Sequence, residues 1–345
     1  MNEFKLSVGR IKVPDSIQEI SRIFYERGWT DGLPVIPPTD EAVERLLKGI
    51  SRKPDEVIGL VPPKWAEATV EKIAVNAVMA GCLPEHMPVI IAALEALLDE
   101  KFNLYGVQTT THPCTPLLII NGPIREKLGI NSGYNAFSQG NFANAVIGRA
   151  IRLILLNIGG GILGKVDKAT HGHPGKLAYC VGENEEKNPW EPLHVERGFK
   201  RSESTVTVVA AESPHNINDH SSITAQGILT TIAGTMATPG NNNVLYQVGE
   251  PLVVLGPEHA ATVARGGLTK EEVKEFLWEN ARVPCARFSQ EHREQRFADF
   301  KPEDLIPIAR RKEDIMVIVS GGAGKHSLFI PTFGDSWAVT KPIKA

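Results

Sequence analysis

A chain of 345 residues with 42% hydrophobic and 22% charged residues is long enough for two lobes or one large α/β unit and has the composition of an ordinary soluble globular protein. A net charge of −3 leaves no basic footprint for nucleic acid. No apolar run is long enough to span a bilayer and the N-terminus lacks an apolar signal core, so the expected setting is cytoplasmic, without membrane or nucleic-acid partners.

Residues 1–65 read as an arm and a Pro-rich wrap. A helix is expected over Ser16–Arg27, where Ile17, Ile20, Ile23 and Phe24 share a face. Residues 28–39 carry too much Gly and Pro for regular structure and should lie extended over the body. Thr39 caps a helix running to about Lys48, and a second Pro-containing segment ends at Trp65. Residues 66–200 read as a first α/β half. It opens with a helical hairpin: one helix from Ala66 to Ala80, stopped by Gly81, and another after Pro84 to Leu98. A strong helix follows over residues 141–161, ending in glycines. Residues 201–345 read as a second α/β half. Apolar β-prone runs at Pro116–Ile120, Thr205–Ala210, Leu252–Leu255 and Ile315–Val319 each end abruptly in Gly, Pro or polar residues. Residues 118–129 and 253–266 both read strand, Gly-Pro, short helix, Gly, which suggests two related halves. The fold class is therefore α/β, a mixed sheet with two related halves and an N-terminal helical hairpin. In such sheets ligands sit where loops leave the carboxyl ends of strands.

The chemistry concentrates in residues 171–220, which hold His171, His173, His194, His215 and His220 among carboxylates and loop-forming Gly and Pro. His171 and His173 face the same way on an extended segment, and with His215 and His220 they make a candidate set of ligands for a divalent metal. The alternative makes these histidines acids, bases or donors to an anionic substrate. Glu183, after Gly182, and Glu196, beside Arg197, are the carboxylates of interest, with His194 as a further acid or base; Glu185 and Glu186 read as a solvated charge run. Arg149, in a mostly apolar helix, needs an anionic partner, either protein or substrate. Together with Asn144, Arg197, Lys325 and His326 it forms the candidate substrate-binding set. Residues 320–327 follow a strand and offer backbone N–H groups to an anion, but His326 stands where a Walker loop needs Ser or Thr. A dinucleotide fingerprint is also missing, since no Gly-x-Gly-x-x-Gly opens a βαβ unit.

Four cysteines, Cys82, Cys114, Cys180 and Cys285, are scattered without Cys-x-x-Cys spacing. Each reads as a buried hydrophobe, with one alternative: the helix after Pro84 lowers the pKa of Cys82 and makes it a nucleophile.

Trp29 to Thr39, Ala74 to Cys82, Gly140 to Ala150, His173 to Lys176, Pro189 to Phe199 and Gly321 to Ser327 resemble a family of bacterial proteins associated with the UGSC-type (seleno)proteins, along nearly the whole chain. The Cys-Gly-Ser-Cys motif of that group is not present; the nearest feature is Ala80-Gly81-Cys82. What the resemblance implies is an enzyme or enzyme subunit, either a homo-oligomer or a partner of a UGSC-type protein, and it supplies no catalytic roles. Three functions stay open. The first is a cytosolic hydrolase or lyase acting on a small polar or anionic substrate through His/Glu or metal-assisted chemistry. The others are a thiol-dependent redox subunit using Cys82 or, less favoured, Cys180, and a non-catalytic ligand-binding subunit.

Overall fold

The computed structural model describes residues 6–344. Helix α1 (Ile17–Glu26) starts where the Ser16 hydroxyl accepts the Glu19 N–H, and it turns Ile20 and Phe24 inward. The expected wrap then leads to α2 (Asp40–Leu47), capped by Thr39. Strands β1 (Val57–Val61) and β2 (Ala66–Thr69) form an antiparallel hairpin. The helix expected from Ala66 is therefore late by four residues: Thr69 accepts the Lys72 N–H and opens α3 (Val70–Ala80). Gly81, at φ 92°, closes that helix, and α4 (Met87–Leu97) completes the hairpin.

Further on come α5 (Leu104–Thr109), β3 (Thr115–Asn121), α6 (Ile124–Leu128), α7 (Phe142–Asn157), β4 (Cys180–Gly182), α8 (Leu193–Glu196), β5 (Thr205–Ala211) and β6 (His215–Asn218). The remainder comprises α9 (Ala225–Met236), α10 (Asn242–Tyr246), β7 (Leu252–Leu255), α11 (Pro257–Arg265), α12 (Lys270–Asn280), β8 (Arg282–Pro284), α13 (Gln290–Arg296), β9 (Leu305–Pro307), β10 (Met316–Val319), β11 (His326–Ile330) and β12 (Val339–Pro342).

Two four-stranded sheets organise these elements, with orders β4-β3-β5-β12 and β10-β7-β11-β6. Each has the same pattern of directions: the first pair is parallel and the next two pairs are antiparallel. The two strand-Gly-Pro-helix junctions occupy matching places, after β3 and after β7. Both glycines are required by close approach, since a Cβ on Gly122 would lie 2.1 Å from the Glu203 carbonyl oxygen and one on Gly256 2.1 Å from that of His326.

The halves also exchange edge strands. β5 belongs to the first sheet but β6, the next strand in sequence, edges the second; β11 belongs to the second sheet but β12 edges the first. A division of the chain at residue 200 thus does not follow the sheets.

Alternation along the strands makes four layers. Leu118, Ile120, Val206 and Val208 face the helices α3, α4 and α7. Leu117, Ile119, Val181 and Val209 face the other way, against Leu252, Val254, Met316 and Ile318 of the second sheet. That sheet's outer face, with Val253, Leu255, Val317 and Phe329, packs on α9, α11 and α12. The parallel pairs of the two sheets meet at their carboxyl ends, where the Asn184 N–H donates to the Val319 carbonyl at 2.7 Å and the Ser320 hydroxyl donates to that of Gly182 at 3.1 Å.

Candidate functional site

The carboxyl ends of β3 and β4 place Asn121 beside Glu183. Glu183 is 0% exposed; its oxygens accept from Asn121 Nδ2 at 2.6 Å, Asn188 Nδ2 at 2.8 Å and the Leu193 N–H at 2.8 Å. Burial pushes this carboxyl up, against the pull of the Lys270 charge and of the donors from Asn121 and Leu193. The Leu193 contact ties the carboxyl to the start of α8, which carries His194, also 0% exposed. Neither ring nitrogen of His194 has a well-formed hydrogen bond among the described residues. Burial lowers its pKa, and the Glu185 charge and the Arg201 backbone only partly offset that.

Glu185 lies deeper than a charge run suggests. Its Oε1 accepts from Asn121 Nδ2 at 3.0 Å, the Gly122 N–H at 2.7 Å and Arg125 Nε at 3.1 Å, while Arg125 also reaches Glu186 at 2.7 Å. The reading of Glu185 as a solvated residue is corrected accordingly. Asn121 Oδ1 and Thr205 Oγ1, on cross-strand partner residues, are buried without partners as well.

Above this cluster opens a cleft of about 780 Å³ with a Trp190 wall and charges of both signs, Arg201, Lys270, Lys274 and Lys312 against Glu191, Glu196, Glu271 and Glu313, and with Asn188 reaching from its lining to Glu183. Glu196 is held between Lys270, at 2.6 Å, and Lys274. Burial pushes its carboxyl up, but the two ammonium groups outweigh that and hold it below its ordinary value. A carboxylate tied to two lysines is not the catalytic acid or base that Glu196 was read as a candidate for. Arg201 is exposed and has no ion-pair partner among the described residues. Neither Arg201 nor the two lysines carry a motif, so sequence reasoning missed them; only the tertiary fold brings α12 over α8.

The other expected residues lie elsewhere. Arg149 makes a two-pronged ion pair with Asp31, at 2.8 and 2.9 Å, and donates to the Leu33 and Pro34 carbonyls. It fastens the Pro-rich wrap to α7 and has no charge to spare for a substrate. Arg197 is spent on Glu250 at 2.8 Å and on the Ala338 carbonyl. Asn144 accepts the Asn131 N–H and donates to the Asn131 and Cys180 carbonyls, so it too is structural.

Cys82 is buried, its thiol donating to the Val146 carbonyl at 3.3 Å, and burial pushes its pKa up despite the nearby Arg149 charge. Cys82 is thus the buried thiol first expected, and the alternative of an activated thiolate is corrected: burial keeps the thiol protonated. Cys180 is likewise buried with its pKa pushed up to about 12 by burial.

The four histidines read as metal ligands do not converge. Among the described residues no three His, Cys, Asp or Glu side chains come close enough to hold an ion. His171 is exposed and His215 sits exposed at the start of β6. The Nδ1 of His173 accepts the Gly175 N–H at 3.2 Å, and its ring stands edge-on to Tyr179. Near it the ring of His112, unremarked in sequence, meets Glu212 at 2.6 Å. His220 instead meets His326. Lys325 donates to the His220 carbonyl. Comparisons with protein-family models, curated proteins and solved structures found no match.

Proposed function

We propose that this protein is an enzyme, a hydrolase or lyase, that binds a small anionic substrate through Arg201 in the cleft beside the Glu196–Lys270–Lys274 ion-pair cluster. Protons move through the polar cluster beneath its floor. The observation that carries this reading is the pairing of a buried carboxyl pushed up with a buried imidazole pushed down. Environments that drive two titratable groups apart in these directions leave one as acid and the other as base near neutral pH. His194 accepts a proton and Glu183 supplies one; Asn188, whose amide N–H donates to that carboxyl, positions it under the cleft and carries no proton itself. A volume of about 780 Å³ suits a small molecule, and the Trp190 ring gives it an apolar wall.

The test is turnover of a panel of small anions: p-nitrophenyl phosphate, mono-p-nitrophenyl succinate and 2-hydroxydicarboxylates, the last read by absorbance of the unsaturated product. One class is expected to react, with kcat reduced about 10²–10⁴-fold in His194→Gln and KM raised in Arg201→Ala. Saturable binding lost in Arg201→Ala but with no turnover of any class would replace this reading with a ligand-binding subunit. Turnover untouched by His194→Gln would move the chemistry to another part of the molecule.

A further inference from the structure

The second sheet brings two histidines together that no sequence spacing connects. His326 opens β11 opposite Asn218 of β6, and His220 lies two residues past Asn218. Their Nε2 atoms face each other at 3.2 Å, with ring centroids 5.0 Å apart and planes at 77°. Two imidazole nitrogens bound to one zinc-type ion at about 2.0–2.1 Å in tetrahedral geometry stand about 3.3–3.4 Å apart. The pair is already spaced for chelation.

We propose that His220 and His326 form an open site for a divalent transition-metal ion, with the two Nε2 atoms as protein ligands and solvent in the remaining positions. The hydrogen bonding around His326 sets the required tautomer. Its Nδ1 lies 3.0 Å from the amide oxygen of Asn216, which can only accept, so Nδ1 carries the proton and the Nε2 lone pair points at His220. In the metal-free protein His220 donates its Nε2 proton to that lone pair. Binding moves this proton to the solvent-facing Nδ1 of His220, and both Nε2 lone pairs then serve the ion.

The backbone under both ligands is fixed. His326 belongs to a strand paired on both sides, with β6 and β7. The loop bearing His220 is held by Lys325, which donates to the His220 carbonyl at 3.1 Å, and by Asp219, which accepts from the Ser221 and Ser222 N–H groups and from Thr231. His326 also lines a hollow of about 370 Å³ together with the glycine loop Ser320–Gly324, which leaves room for water or a substrate oxygen. No third protein ligand joins the pair among the described residues. Two protein ligands with open positions are fewer than catalytic zinc sites carry, and imidazole donors select zinc, nickel or copper over magnesium or calcium. The site shares no residue with the cleft of Arg201 and does not rest on the reading given for it.

The experiment is titration of the untagged full chain with Zn²⁺ by calorimetry and with Cu²⁺ by electron paramagnetic resonance. Expected are one ion per chain, no competition from Mg²⁺, and hyperfine coupling to two imidazole nitrogens. His220→Gln and His326→Gln should each abolish that site, Asn216→Ala should weaken it about 10–100-fold, and His171→Gln should leave it unchanged. Zn²⁺ affinity that survives either of the first two variants, coupling to a single nitrogen, or no binding at all overturns the proposal.

Discussion

At the scale of single residues, the Glu183 carboxyl is pushed up by burial against the Lys270 charge and the donors from Asn121 and Leu193, and burial is the stronger. A carboxyl whose folded pKa is raised contributes stability that is intact below its unfolded value and is lost as pH rises through the folded value. Glu183→Gln keeps the shape and removes the titration. In urea unfolding from about pH 5 to about pH 8, the wild type should lose stability relative to this variant as pH rises. A pH-independent difference between the two would mean that the carboxyl is ionised throughout. Glu183 was singled out in the sequence because it follows Gly182, and His194 as one of the histidines crowded into residues 171–220. The residues whose charge proved to be spent within the protein share a cause. Arg149, Arg197 and Glu196 advertise charge in the sequence, but their partners Asp31, Glu250, Lys270 and Lys274 are 53 to 118 residues away or were given no role. Whether a charge is free or spent is decided by such distant neighbours.

At the scale of elements, most boundaries follow local chemistry. Ser16, Thr39 and Thr69 each cap a helix, and Gly81 ends one. The hairpin β1–β2 escaped because Ala66-Glu67-Ala68-Thr69 fits the helical spacing of the segment it leads into; tertiary pairing with Val57–Val61 overrides that propensity. The Pro-rich wrap has almost no ladder of its own, so its position depends on anchors. Chief among them is the ion pair between Arg149 on α7 and Asp31, whose side chains are 15% and 3% exposed. Removing one member of such a pair strands the other charge, at a cost of about 3–5 kcal/mol. Arg149→Ala should therefore lower the urea midpoint by a corresponding amount and expose residues 28–39 to limited proteolysis. Anion binding in the Arg201 cleft should be unchanged. Loss of that binding with full stability would restore Arg149 to the substrate site.

At the scale of the whole molecule, the repeat was visible only where sequence and geometry coincide, at the two strand-Gly-Pro-helix junctions. The exchange of β6 and β12 was not, because a four-residue edge strand has no pattern that names its sheet. The layered interior that results encloses three imidazoles in neutral form. Burial lowers the pKa of His86, His173 and His194. Two of them use a ring lone pair structurally: His86 Nδ1 accepts the Leu83 N–H at 3.1 Å and His173 Nδ1 that of Gly175 at 3.2 Å. Protonation at those nitrogens would break both turns. For a base with a depressed folded pKa, stability is present above the unfolded value, near 6.5, and is lost as pH falls through the folded value. Carboxylates held low, such as Glu186 and Glu196, give up their contribution only below the ordinary value of 4.5. The interval from about pH 6.5 to about pH 5 therefore belongs to the histidines, each adding up to about 1.4 kcal/mol per pH unit. Glu183 acts in the opposite sense, so the measurement is made on Glu183→Gln. Its stability should fall steadily across this interval, with proton uptake on unfolding measured by calorimetry in two buffers of different ionisation enthalpy. No uptake in that interval would mean that the three rings titrate as freely in the folded chain as in the unfolded one, and that the interior imposes no neutral form on them.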